Sequence, residues 1–139
     1  MSWVFYAVMS AIFAALIAIF GKIGVKGVDT TLATTVRAII MAIFLVATSL
    51  ILGKAPLLSS INSKALTYII FSGIAGALSW LFYFVALRNG PASGVAALDR
   101  TSVVFVFLLA LLFLGERLTW KSGLGVSLVA IGAVLMALK

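Results

Sequence analysis

Five runs of mostly apolar residues follow one another along the sequence, each close to the roughly 20 residues a helix needs to cross about 30 Å of hydrocarbon. They are placed at about Ser2 to Gly21, Thr31 to Leu52, Ala65 to Leu87, Ser93 to Leu114 and Thr119 to Leu138. Turn residues punctuate every gap. Gly24 to Thr30 holds Lys26 and Asp29, Gly53 to Ser63 holds Pro56, Asn89-Gly90-Pro91 fills the third gap, and Gly115-Glu116-Arg117-Leu118 precedes Thr119 as a helix cap. The expected fold class is therefore all-α: a polytopic membrane protein, a bundle of five transmembrane helices in a single domain over residues 1–139. Short gaps make neighbouring helices antiparallel.

Composition removes the soluble alternative. The chain is 65% hydrophobic and 9% charged, with a mean hydropathy of +1.34, whereas an ordinary domain is near half apolar and about a quarter charged. A soluble fold of 139 residues has too little interior for these side chains, so the bilayer is their solvent. The first run lacks the charged start of a secretory leader and continues from Trp3 into a full span, so it reads as the first transmembrane helix. Without Cys there are no disulfides or thiolate chemistry, and without His the commonest general base and metal ligand is missing. The expectation is thus no enzyme, no catalytic residues, no metal site and no cofactor. A net charge of +7 raises the question of nucleic acid, but the basic residues lie singly at the ends of apolar runs. Headgroup contacts explain them, and no nucleic-acid partner is expected.

Counting charges by side gives near balance. Lys54, Lys64, Arg117 and Lys121 fall on the side of the N-terminus, and Lys22, Lys26, Arg88 and Lys139 on the other. The positive-inside rule has little to act on. This motivates insertion in both orientations and an antiparallel homodimer; a single orientation set by other features is the alternative.

Arg37, Asp99 and Arg100 stand inside the spans, where a central charge costs at least roughly 2.5 to 3.5 kcal/mol on insertion scales. Such residues need a partner, a watery cavity or a function. Arg37 and Asp99 each come six residues after the start of their span, about 9 Å deep from the same side. Lys22, Trp80 and Tyr83 fall near that layer, the two aromatics as cavity walls or as interfacial anchors. Residues three or four apart share a helix face. This joins Tyr68, Ser72, Gly76, Ser79 and Tyr83 on the third span, and Ala96, Asp99, Ser102 and Val106 on the fourth. Thr34, Arg37 and Met41 align on the second span. Packing faces are expected on the first, through Ala7, Ala11, Ala14 or Ala15, and Ala18, and on the fifth, through Gly125, Val129, Gly132 and Met136. Candidate substrate-binding or coupling residues are Asp99, Arg37, Arg100, Lys22, Ser72, Ser79, Trp80, Tyr83 and Ser102. Arg37 and Asp99 could equally form a structural ion pair, and Arg100 could simply snorkel.

Two segments carry a family resemblance. The run Ala14 to Arg37, with Gly21-Lys22-Ile23-Gly24-Val25-Lys26-Gly27-Val28-Asp29 and Ala33-Thr34-Thr35-Val36-Arg37, resembles the start of EamA domains. Gly90-Pro91-Ala92-Ser93-Gly94-Val95-Ala96, then Leu98-Asp99-Arg100-Thr101-Ser102, then Phe113-Leu114-Gly115-Glu116-Arg117-Leu118-Thr119, resembles the family's last two helices. The resemblance spans essentially the whole chain, as a single five-helix member of the drug/metabolite transporter superfamily. Many members have a Pro early in helix four where this chain reads Val95-Ala96-Ala97, so a kink there is not expected from the resemblance.

The resemblance implies a secondary transporter, commonly an exporter, of small metabolites or amino acids. The second half of an inverted repeat would be supplied by another copy, giving alternating access as a homodimer in a cell membrane, the inner one in a prokaryote. Asp99, the only acid embedded in a span, is the side-chain candidate for carrying a proton. Arg37 or Arg100 could bind an anionic group such as a carboxylate. The rivals are a proton-coupled exporter of the small-multidrug type and a non-transporting membrane partner or assembly subunit. The excess of positive charge inside the spans argues against a cationic substrate.

Overall fold

The computed structural model describes residues 3–115 and 119–138, nearly all of them in helices or turns and none of them in a strand. The elements are α1 (Trp3–Gly24), α2 (Thr30–Ile51), a 3₁₀ turn (Ala55–Ser60), α3 (Ser63–Asn89), α4 (Ala92–Asp99), α5 (Ser102–Leu109), a π-helical segment (Ala110–Leu114) and α6 (Trp120–Ala137). Five helical stretches are long and apolar enough to cross a membrane: α1, α2, α3, the composite Ala92–Leu114 and α6. These are the five expected spans. Ser2 at the expected start of the first, Glu116-Arg117-Leu118 of the last turn, and Lys139 lie outside the described residues.

The span ends follow from local chemistry. The Asp29 carboxylate accepts from the Leu32 N–H at 2.9 Å and caps α2. Gly53, at φ 64°, ends that helix: its N–H reaches the Leu50 carbonyl and the Lys54 N–H reaches that of Ser49, closing a Schellman turn. The following gap, marked in the sequence by Pro56, folds into the 3₁₀ turn with that proline near its start. Thr119 caps α6 as expected, in a reciprocal capping box with Ser122.

The fourth span is not one regular helix. At its middle the Arg100 N–H is shared between the carbonyls of Ala96 and Ala97, and the N–H groups of Thr101, Val103 and Val104 bond three residues back. The ladder thus tightens across the Asp99–Ser102 junction, and the Thr101 hydroxyl turns back to the Leu98 carbonyl at 2.7 Å. Eight residues later the helix widens into the π segment, which stops at Gly115 in the left-handed conformation. Such irregular turns inside an apolar span hold their backbone groups satisfied locally, as hydrocarbon requires.

The chain forms two compact units, Met1–Ile23 with Asn89–Lys139, and Gly24–Arg88. In the first, α4 and α5 pack on α6. Gly94 permits the closest approach: a Cβ there would lie 3.3 Å from Pro91 Cγ and 3.4 Å from the Met136 carbonyl oxygen. The expected packing stripe of α6 is displaced. Gly125, Val129 and Met136 are exposed, and Gly125 and Gly132 have open space where a Cβ would be. The covered face instead runs through Gly123, Val126, Ala130 and Ala133. On α1, Ala14 and Ala18 are covered as expected, while Ala7 and Ala11 are exposed. In the second unit, Thr30 and Thr34 of α2 and Phe84 and Leu87 of α3 are buried. Large apolar side chains such as Phe44, Phe71, Phe82 and Leu112 are exposed in quantities no aqueous protein tolerates, which suits spans bathed in lipid.

Candidate functional site

Arg37 is the charged centre of the second unit. It stands seven residues into α2, about 10 Å along the helix axis from Thr30. Its guanidinium carbon lies 3.6 Å from the centroid of the Trp80 ring and 5.7 Å from that of Phe84. Trp80 meets Tyr83 and Phe84 edge-on, with the Trp80 and Tyr83 centroids 5.4 Å apart, and Tyr83 and Phe84 are tilted against one another. Spacings of three and four residues place Trp80, Tyr83 and Phe84 on one side of α3. A desolvated cation–π contact is worth about 2 kcal/mol or more, which offsets most of the roughly 2.5 to 3.5 kcal/mol insertion cost of an Arg. The ring face does nothing for the in-plane N–H donors. Asp29, the only acid among residues 24–88, is used as the α2 cap. Within this unit no described acceptor engages the guanidinium N–H groups.

The first unit holds the other charges. Lys22, at the end of α1, donates from Nζ to the Gly90 carbonyl at 2.8 Å, strapping that helix end to the turn before α4. Asp99 is the last residue of α4 and Arg100 the first of the irregular junction; both are exposed. Within this unit the Asp99 carboxylate takes no hydrogen bond or ion pair among the described residues. Arg37 and Asp99, expected at one depth, belong to different units.

The faces drawn from polarity are rotated. Trp80 and Tyr83 are half-buried, but Ser72 and Ser79 are exposed, and the covered line of α3 passes through Gly76, Trp80, Phe84 and Leu87. On the fourth span Asp99, Ser102 and Val106 are exposed, while Gly94, Ala97, Thr101 and Val104 are covered. Thr34 is buried, Arg37 and Thr48 are half-buried and Met41 is exposed, so coverage of the α2 face is interrupted at its middle. Two contributors were missed. Phe84 gave a usable signal, lying four residues after Trp80, whereas the Gly90 carbonyl gave none.

A five-span, all-helical chain with charges held inside its apolar helices is an integral membrane protein of the multi-pass class. The EamA-like transporter family matches residues 1–138, and the chain belongs to that family. It is 40% identical over 136 residues to an uncharacterized transporter encoded 3′ of cobO in a Sinorhizobium species, covering 98% of this chain and 96% of the relative. An uncharacterized protein of Methanocaldococcus jannaschii is 34% identical over 77 residues, 55% of this chain and 56% of its own. No solved structure matches the chain. The protein is a membrane transporter.

Proposed function

We propose that the protein is a secondary transporter that exports small metabolites or amino acids unchanged across a cell membrane, the inner one in a prokaryote. It works by alternating access as a homodimer. The observation that carries this reading is the irregular junction of the fourth span, set directly beside Asp99, the only acid within a span. In transporters, interrupted helices gather near the bilayer midplane, where the freed helix ends meet substrate and coupling ions. A charge carried at such a junction can change its surroundings when the two helix halves tilt.

The homodimer reading rests on the near-even charge of the loops, which leaves each copy little preference for one orientation. Topology reporters fused at position 139, one active only outside and one only inside, should both give signal. Activity from a single reporter removes the antiparallel pair.

The transport reading is tested with purified protein in proteoliposomes, screening amino acids and small organic acids with and without a pH gradient. Protein-dependent flux accelerated by the gradient is expected. Flux restricted to lipophilic cations would favour the small-multidrug type. No flux of any solute would leave a non-transporting membrane partner.

A further inference from the structure

We propose that Arg37 and Trp80 form a carboxylate-binding subsite that takes flat, monoanionic organic acids. The guanidinium edge chelates the carboxylate, and the half-buried rings of Trp80 and Tyr83, backed by the buried Phe84, face the apolar body. Its use in transport rests on the reading above; the binding itself does not.

The Arg37 guanidinium carbon lies over the Trp80 ring, 3.6 Å from its centroid, so the ring covers one side of the group and leaves the N–H donors that point away from it. Edge-on chelation of a carboxylate needs only those donors, so the stack and the chelate can coexist. The stack also holds the fork in one orientation, lowering the ordering cost when an anion arrives. No carboxylate of the same unit competes, because Asp29 is committed to the Leu32 N–H. The other basic groups are less suited: the Lys22 ammonium is engaged with the Gly90 carbonyl, and Arg100 is exposed with no ring contact among the described residues. A single guanidinium balances one negative charge. A phosphate dianion would bring a second charge into the apolar span with nothing to meet it, and its desolvation cost is correspondingly greater. The aromatic wall gives an apolar acid a surface that a small hydrophilic anion cannot use.

Trp80 is its own reporter. Trp3 and Trp120 are 80% and 82% exposed, so Trp3→Phe and Trp120→Phe leave Trp80 as the sole indole of the full chain. In nonionic detergent free of phospholipid, benzoate should change the Trp80 emission saturably. Benzamide, the neutral analogue, and inorganic phosphate should bind about tenfold more weakly or worse, as expected on losing a charge-assisted hydrogen bond. Arg37→Gln should lose the benzoate response by a similar factor, Arg37→Lys should retain part of it, and Arg100→Gln should retain all of it. Circular dichroism and elution volume confirm the fold; should Arg37→Gln fail to fold, the Arg37→Lys and benzamide comparisons carry the test.

An equal response to benzamide, tighter binding of phosphate, or an unchanged response in Arg37→Gln or Arg37→Lys overturns the proposal. So does a benzoate response abolished in phosphatidylcholine vesicles, which assigns the guanidinium to a lipid headgroup. Benzoate binding that persists in protein showing no flux of any solute supports the subsite and removes the transport reading. Flux of neutral solutes with no Trp80 response to benzoate does the reverse.

Discussion

Replacing Asp99 by Asn is expected to reduce pH-driven solute accumulation in proteoliposomes from about tenfold per pH unit to near unity. A carrier exchanging one proton per solute sustains a solute ratio equal to the proton ratio, and each pH unit is about 1.36 kcal/mol of driving force. Asn keeps the size and hydrogen-bonding capacity of Asp and removes only its ionisation. The carboxylate is exposed and takes no partner among the described residues of its unit, so the structural cost should stay within about 0.5 kcal/mol. Expression, membrane insertion and downhill exchange without a gradient should therefore survive. Retention of pH-driven accumulation by the variant would remove Asp99 from coupling.

The spans were legible because hydrocarbon thickness imposes a length that the five apolar runs meet, and because Asp29, Gly53 and Thr119 are residues whose backbone roles are local. The break in the fourth span was not legible. Neither Pro nor Gly lies between Gly94 and Gly115, and the junction is built from Arg100 and Thr101, residues that also occur in regular helices. Helix faces misled for a related reason. In water polarity marks the outer face of a helix, but in lipid it need not mark either face, because a hydroxyl can satisfy itself by bonding the carbonyl one turn back. Thr35, Thr67 and Ser127 do so, to Thr31, Ser63 and Gly123. Ser72 and Ser79 therefore carried little information about which side of α3 is covered. The aromatic residues carried more, since Trp80, Tyr83 and Phe84 bring large area and a ring face that a half-buried guanidinium can use.

Gly94→Leu is expected to lower stability by about 1 to 3 kcal/mol, read as an earlier unfolding midpoint in mixed micelles, and to reduce transport with it. A Cβ at this position already meets Pro91 Cγ at 3.3 Å and the Met136 carbonyl oxygen at 3.4 Å. Ala requires both neighbours to give by a few tenths of an ångström. The branched carbons of Leu require α4 to move off α6, because a carbonyl fixed in a helix and a proline ring cannot rotate aside as a flexible side chain would. Gly125→Leu is the matched control: it adds the same side chain to a span where a Cβ would find open space, and it should be nearly neutral. The functional loss at Gly94 follows from its position on α4, whose last residue is Asp99. Any tilt of this eight-residue helix away from α6 is carried to the carboxylate and to the junction behind it, so Gly94→Leu should impair coupling even in the fraction that remains folded.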